Sequence, residues 1–171
     1  MDRLESSLGV DALREFQRSA LDALLGGRDA FVCVATGGGK SLVYQAAAVA
    51  LGGAVVVVSP LVCLIDDQLE DCARRGLRAS RLTASSRSQG GAEVLFATPE
   101  RLQAGICWEG VRPALLCVDE AHCVSLFGHS FRPAYTELGL LRRRWPGVPL
   151  LALSASVTHA VSHPKKCADR R

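Results

Sequence analysis

The stretch FVCVATGGGKSLVYQ, residues 31–45, passes from an apolar run through three glycines to a lysine and a serine. The apolar run predicts a buried β-strand, and the alanine-rich sequence that follows predicts a helix. Gly37, Gly38 and Gly39 allow the loop between them to curl so that backbone N–H groups point inward. Because the start of the helix adds its positive dipole end, the loop is predicted to hold phosphate.

The two residues after the glycines add chemistry to this loop. Lys40 can reach the outer phosphates of a nucleoside triphosphate, and the Ser41 hydroxyl can ligate its Mg²⁺. The pattern GxxxxGK[ST] would require glycine where this chain has Val34, so the loop is a variant. The alternative is a plain glycine turn that happens to contain a lysine. Residues 1–164 contain fifteen arginines and a single lysine, Lys40, which favours a specific role for that ammonium group.

Helices and strands alternate on both sides of this loop. Helical spacing and flanking turn residues predict helices over 11–27, 40–51, 61–75, 99–103 and 134–145. Apolar runs predict strands over 30–35, 54–59, 79–83, 93–98, 114–120 and 149–155. Uniformly apolar strands between helices indicate a parallel sheet that is covered on both faces. We therefore predict a doubly wound α/β lobe that binds its ligand at the carboxyl ends of the strands.

An acidic pair follows one of these strands, in the sequence LLCVDEAH. Asp119 is placed to hold Mg²⁺, and Glu120 to orient or deprotonate an attacking water. Taken alone, these acids would be read as the solvated first turn of a helix. Their position after a buried strand and downstream of a phosphate loop favours the catalytic interpretation.

Composition limits the remaining possibilities. With 171 residues, 49% hydrophobic content and a formal net charge of +3, the chain fits one domain and is only mildly basic. Its seven cysteines contain no CxxC pair and lie mostly in apolar runs, so we expect buried thiols. The sequence shows no leader and no apolar run of about 18 residues, so we expect an intracellular protein without membrane contact.

Seven segments together resemble a known family. In chain order they are LREFQ, ATGGGKS, VVSPLVCLIDDQ, ATPERL, VDEAHCVS, FGHSFRPAY and LALSAS. They are similar to the motifs of the first motor lobe of RecQ-type DNA helicases, in helicase superfamily 2, over about residues 4–161. The aromatic segment after DEAHCVS separates this family from DEAH-box RNA helicases. The resemblance implies a RecA-like fold of the P-loop NTPase type, with ATP and Mg²⁺ as cofactors. It also implies single-stranded or forked DNA as the partner and 3′ to 5′ DNA unwinding as the activity.

The resemblance also implies roles for individual residues. Nucleotide contacts would come from Arg14 and Gln17, which recognise adenine, and from Thr36, Gly37, Gly38, Gly39, Lys40 and Ser41. Catalysis would use Lys40, Asp119, Glu120 and His122, with Ser41 and Asp119 as the Mg²⁺ ligands. DNA binding or coupling would use Ser59, Pro60, Gln68, Thr98, Pro99, Phe127, His129, Phe131, Arg132, Ser154 and Ser156.

Plainer interpretations of these residues remain open. Gln17 also fits the solvent-facing side of an amphipathic helix. Ser59, Pro60, Thr98 and Pro99 also fit ordinary capping of the helices predicted to start at residues 61 and 99. Aromatic residues beside a proline, such as Phe127 and Phe131, are more often part of a core than of a DNA contact.

Several positions depart from the family pattern. Tryptophan, glutamine and aspartate are usual where this chain has Phe127, Leu126 and Ser130, and threonines are usual in place of the serines of SAS. We expect weaker coupling between DNA and ATP as a result. Aromatics are usual at Leu8 and Leu13, so we expect a less complete sandwich around adenine.

The resemblance covers a single lobe, for which we expect residues 1–158. The family places ATP between two lobes, and the second supplies an arginine, worth about 10³ to 10⁵ in rate in related phosphoryl transfers. Residues 159–171 lose apolar periodicity, and we expect a disordered or foreign tail on a chain that stops short of the full gene product. The family implies DNA repair and recombination, and the nucleus if the protein is eukaryotic.

Three functions therefore remain open. The first is an ATP-dependent DNA helicase represented by its ATP-binding lobe, which we favour. The second is a nucleotide-dependent DNA-binding or regulatory module that does not unwind. The third is another superfamily 2 nucleic-acid motor, such as an RNA helicase.

Overall fold

The computed structural model describes residues 2–83, 91–106, 108–122 and 139–155. The described helices are α1 (Asp2–Ser7), α2 (Glu15–Leu25), α3 (Ser41–Leu51), α4 (Val62–Arg74), α5 (Pro99–Ala104) and α6 (Gly139–Arg144). The described strands are β1 (Ala30–Cys33), β2 (Ala54–Val58), β3 (Ala79–Arg81), β4 (Val94–Ala97), β5 (Pro113–Val118) and β6 (Leu150–Ser154).

The six strands form one sheet in the order β1-β6-β5-β2-β4-β3, and every neighbouring pair is parallel. Parallel neighbours require crossover connections, which the intervening helices provide. The predicted doubly wound, RecA-like α/β fold is therefore confirmed. The predicted elements are present, most of them shortened at their ends. The sequence did not predict α1, and the predicted helix over 134–145 is described only from residue 139.

Burial on both faces explains why the strands are uniformly apolar. All four valines from Val55 to Val58 in β2 are completely buried. Successive side chains of a strand point to opposite faces, so these valines serve two separate cores. Val55 and Val57 pack with residues of α1 to α4, whereas Val56 and Val58 pack with residues of α5 and α6.

The second core ends in an aromatic cluster that precedes β5 and β6. The rings of Trp108 and Trp145 meet edge to face, with centroids 4.8 Å apart. The guanidinium of Arg144 lies 5.8 Å and 5.3 Å from the two ring centroids. Because strands β5 and β6 begin just after these tryptophans, the cluster lies at the amino ends of the strands.

The cysteines follow the sequence prediction only in part. Cys72 and Cys117 are buried, Cys33 is half-buried, and Cys63 is exposed, contrary to the expectation of buried thiols. Cys63 lies in the first turn of α4, beside the exposed Leu61 and Val62. Burial is the main cause that raises the pKa of Cys72 to about 11, so this thiol stays protonated at neutral pH. Cys107, Cys123 and Cys167 lie outside the described residues.

Within the described residues, no helix is both long and apolar enough to cross a lipid bilayer.

Phe96→Ala tests the larger core. Phe96 is completely buried in β4 and meets Tyr44 of α3 edge to face at 6.1 Å. Removing a buried phenyl ring leaves a cavity, so we expect the free energy of unfolding to fall by about 3–5 kcal/mol. Urea denaturation followed by circular dichroism measures this change. Phe31→Ala, at a 44% exposed position, is the control and should cost no more than about 0.5 kcal/mol; equal losses in the two variants would contradict the assigned core.

Candidate functional site

The glycine loop runs from the end of β1 to the start of α3. Gly37 and Gly39 have φ angles of 78° and 85°, in the left-handed region that favours glycine. Gly38 is needed for a different reason, because a Cβ there would lie 2.3 Å from Cγ1 of Val34 and 2.8 Å from the Ala35 carbonyl oxygen. Each of the three glycines therefore has its own steric requirement.

Lys40 lies folded into this loop. Its side chain is buried, and Nζ donates to the carbonyl oxygens of Val34 at 2.8 Å and Ala35 at 3.3 Å. Among the residues that the structure describes, no carboxylate forms an ion pair with Lys40. A buried ammonium that is held only by neutral carbonyls is poised to bind an anion.

The start of α2 is hydrogen-bonded to the same loop. Arg14 donates to the Gly38 carbonyl at 2.9 Å, and Nε2 of Gln17 donates to the Gly39 carbonyl at 2.8 Å. Oε1 of Gln17 accepts from the backbone N–H of Arg14 at 2.7 Å. Gln17 is 2% exposed, so the alternative of a solvent-facing residue is wrong. Both residues line the cavity at the loop, and their recognition of adenine stays a prediction.

The acidic pair follows β5 as expected. Asp119 is buried; its Oδ2 accepts from Nε2 of Gln68 at 2.8 Å, and its Oδ1 accepts from the Glu120 backbone N–H at 3.0 Å. Glu120 is the one non-glycine residue of the described chain with a positive φ, 48°. Strained backbone of this kind persists where the surroundings hold it, often at functional sites.

His122 connects this turn to β6. Its Nδ1 lies 3.2 Å from Oε2 of Glu120, close enough for an ion pair when the imidazole is protonated, although not in hydrogen-bond geometry. The same Nδ1 lies 3.3 Å from Oγ of Ser154. The structure thus brings together His122, Glu120 and Ser154, whereas Ser156 lies outside the described residues.

The glycine loop, the start of α2 and the acidic pair border one cavity of about 600 Å³, in the size range of small-molecule sites, whereas His122 and Ser154 are not among its lining residues. Its lining includes Arg14, Gln17, Thr36, Gly37, Gly39, Lys40, Ser41, Gln68, Asp119 and Glu120. Ser41 and Asp119 contribute oxygen atoms, the donor type that Mg²⁺ prefers together with substrate phosphates. In the part of the chain that the structure describes, no group of three or more His, Cys, Asp or Glu side chains is arranged so that it could hold a metal ion by itself. A metal held here would thus rely on few protein ligands.

Residues predicted to contact DNA have mixed placements. Ser59 is completely buried, so its side chain cannot touch DNA unless the structure opens. Thr98 accepts a hydrogen bond from the Arg101 backbone N–H at 3.2 Å, and Pro99 occupies the first turn of α5, so capping is present there. No side-chain cap is found at the start of α4. Pro60 is buried beside Ser59.

The aromatic segment for which the resemblance implied DNA sensing lies outside the described residues. Phe127, His129, Phe131 and Arg132 lie outside the described residues, as do Leu126, Ser130 and the tail 159–171.

Gln68, for which the resemblance implied DNA binding or coupling, lies at the cavity. Its side chain lines the nucleotide-sized cavity and bonds Asp119, while its Oε1 accepts a long hydrogen bond of 3.4 Å from the Tyr44 hydroxyl. Burial is the main cause that raises the pKa of Tyr44 well above its ordinary value, with the negative charge of Asp119 adding to it. The hydroxyl therefore remains protonated.

Sequence reasoning missed a second polar group at the cavity. Gln45 is completely buried and donates to Oδ2 of Asp71 at 2.8 Å, and Arg75 lies 3.3 Å from the same oxygen. Burial alone would raise the pKa of Asp71, but these two partners and Arg74 lower it below its ordinary value. The spacing of four residues between Asp71 and Arg75 in a helix was the signal available in the sequence.

The sequence profile of the DEAD/DEAH box helicase family matches residues 14–163. The chain is 36% identical to the "ATP-dependent DNA helicase Q-like 2" of Arabidopsis thaliana, over 91% of this chain and 25% of that protein. It is 35% identical to the "ATP-dependent DNA helicase RecQ" of Haemophilus influenzae, over 92% of this chain and 28% of that protein. It is 38% identical to the "RecQ-like DNA helicase blm-1" of Caenorhabditis elegans, over 99% of this chain and 19% of that protein. The chain thus spans about a quarter of the length of the curated relatives it matches.

Gly38→Ala tests the loop. The added methyl group would meet Val34 and Ala35 at distances that neither can accept, so the loop must move. The loss of one charged hydrogen bond, about 1.5–3 kcal/mol, already weakens binding about tenfold or more. We expect at least that loss in a titration with a fluorescent ATP analogue.

Gly26→Ala is the matched control, because a Cβ there would find its nearest neighbours at 3.4 Å. This variant should bind the analogue as the wild type does. Unchanged affinity in Gly38→Ala would show that the loop does not form the binding surface.

Proposed function

The chain belongs to the DEAD/DEAH box helicase family, and we propose that it is the ATP-binding lobe of an ATP-dependent 3′ to 5′ DNA helicase of RecQ type. The observation that carries this proposal is the shared cavity at the carboxyl ends of the strands, lined by Lys40, Ser41 and Asp119. Phosphate, metal and water chemistry can meet in that one space.

The buried ammonium of Lys40 has the central role in ATP binding. In the proposed complex its Nζ exchanges the carbonyl oxygens of Val34 and Ala35 for outer phosphate oxygens, which carry negative charge. Backbone N–H groups of the glycine loop and the start of α3 support the same phosphates. In this proposal Arg14 and Gln17 recognise adenine, and their hydrogen bonds to the loop connect the adenine site to the phosphate site.

Ser41 and Asp119 would hold Mg²⁺. When bound there, the ion would neutralise charge on the outer phosphates and orient them for in-line attack. Glu120 lies next in sequence and lines the same cavity, so its carboxylate can orient or deprotonate the attacking water. His122 can pass a change at Glu120 on to Ser154, because it lies close to both.

Single-stranded DNA is the proposed nucleic-acid partner, and the names of the relatives as DNA helicases support DNA in general. Thr98 follows β4 and is half-buried, and Leu61 and Val62 are exposed at the start of α4, so this end of the sheet offers a surface for single-stranded DNA, although Pro99 itself is buried. Forked DNA as the natural substrate is part of the proposal, as are an intracellular location and, in a eukaryote, the nucleus.

A second lobe completes the ATP site of the proposed helicase. The relatives are about four times as long as this chain, which leaves room for such a lobe. An arginine contributed across the cleft would stabilise the transition state, worth about 10³ to 10⁵ in rate in related systems. We propose that residues 1–158 form one lobe and that residues 159–171 are not part of it.

Lys40→Ala tests the phosphate site. The loss of a charge-assisted contact with phosphate should lower the affinity for ATP by at least about tenfold. Binding should then fall below detection in a titration at micromolar concentrations. Arg28→Ala is the control, because it removes an exposed cation in the turn that precedes β1, at the opposite end of that strand from the glycine loop. Thermal unfolding checks that both variants are folded. Tight binding by Lys40→Ala would contradict the assignment of the phosphate loop.

ATP hydrolysis by the 171-residue chain, with and without single-stranded DNA, tests the need for a second lobe. We expect the chain to bind ATP·Mg²⁺ with little or no turnover, because the transition-state arginine comes from elsewhere. Robust turnover stimulated by DNA would show that the chain completes its own site, most simply by self-association.

A further inference from the structure

Gln68 joins three elements at the nucleotide cavity. Its Nε2 donates to Oδ2 of Asp119 at 2.8 Å, and its Oε1 faces the Tyr44 hydroxyl at 3.4 Å. Tyr44 is completely buried in α3, so its hydroxyl has a fixed position. An amide has one accepting end and one donating end. Because the accepting end faces Tyr44, the donating end is directed at the carboxylate.

Both oxygens of Asp119 are thereby held. Oδ2 accepts from Gln68, and Oδ1 accepts from the backbone N–H of Glu120 at 3.0 Å. An ionised carboxylate has about four lone-pair directions, so each oxygen keeps one for another partner. The plane of the carboxylate is set by two N–H donors that come from different parts of the fold.

Gln68 belongs to the inward face of α4. It lies three residues after Ile65 and four before Cys72, and both of these are buried. Residues at this spacing share one side of a helix. The side chain thus points toward α3 and β5, away from the exposed first turn that Leu61 and Val62 border.

We propose that Gln68 is a positioning residue that holds the Asp119 carboxylate in the orientation required to bind a divalent cation together with ATP. This role rests on the proposed function, because it takes Asp119 as a Mg²⁺ ligand. It replaces the DNA-groove role that the sequence suggested for Gln68. Groups that orient metal ligands through hydrogen bonds commonly set metal affinity, and their loss costs about 10- to 100-fold.

A Mg²⁺ titration of nucleotide binding tests the proposal. The probe is a fluorescent, non-hydrolysable ATP analogue, bound to the 171-residue chain while MgCl₂ is added. In Gln68→Met, which keeps the length of the side chain but lacks the N–H donor, we expect the half-maximal Mg²⁺ concentration to rise about 10- to 100-fold. Binding of the analogue in EDTA should stay at the wild-type level, because the phosphate loop is untouched.

Two further variants separate a positioning role of Gln68 from a general effect of replacing a polar side chain. Gln103→Met makes the same change at an exposed position of α5 and should leave the Mg²⁺ midpoint unchanged. Gln68→Asn keeps an amide but is one methylene shorter, so it should lose the bond to Asp119 and behave as Gln68→Met does. A wild-type midpoint in Gln68→Asn would mean that polarity alone suffices, and would overturn the proposal.

Affinity for a single-stranded oligonucleotide in EDTA distinguishes the earlier interpretation. A positioning role leaves this affinity unchanged in Gln68→Met. Weaker DNA binding with a normal Mg²⁺ midpoint would assign Gln68 to the DNA groove and overturn the proposal.

If Mg²⁺ strengthens binding of the analogue to the wild-type chain, and strengthens it equally in the Gln68 variants, this inference alone fails. If the wild-type chain binds no analogue, the proposed function fails and this inference with it.

Discussion

The double-sided burial of one parallel sheet determines the rest of the structure. Because all neighbouring strands are parallel, their carboxyl ends meet along one edge, and the loops that leave them converge. Lys40 follows β1, Asp119 follows β5, and Ser154 ends β6, although they are far apart in sequence. The fully buried valines of β2 lie in the middle of the sheet and pack against the helices on both of its faces. A site assembled at such an edge needs little local structure of its own.

The turn after β5 illustrates how the sheet fixes a local geometry. Asp119 donates its backbone N–H to the Val58 carbonyl at 2.8 Å, and Ala121 donates to the Leu153 carbonyl at 2.7 Å. Between these two anchors Glu120 adopts its positive φ, which costs on the order of 1–3 kcal/mol. The neighbouring strands therefore impose the conformation, and the carboxylate of Glu120 is presented toward His122 rather than along an ordinary first helical turn.

Much of the fold could be predicted from the sequence, because apolar runs bounded by glycine, proline and polar residues leave few alternatives for β2, β4 and β5. The turn between β1 and α3 was predictable for a similar reason, because Gly37 and Gly39 adopt the positive φ angles that favour glycine. That this loop binds phosphate stays a prediction. Helix α1 was not, because its six residues show no clear period. The place of Gln68 depends on which face of α4 meets the sheet. The spacing of Gln68 from Ile65 and Cys72 indicates the inward face of α4. The resemblance to the helicase family instead suggested a role in DNA binding.

The contact between Trp108 and Trp145 has a spectroscopic consequence. These are the only tryptophans of the chain, and they lie at the amino ends of β5 and β6, whereas the cavity at the glycine loop lies at the carboxyl ends of the strands. A six-residue strand is about 20 Å long, so the indoles are distant from any nucleotide bound at the loop. We therefore expect the intrinsic tryptophan emission and near-ultraviolet dichroism of this protein to report mainly on packing at the amino ends of β5 and β6, and only weakly on events at the glycine loop.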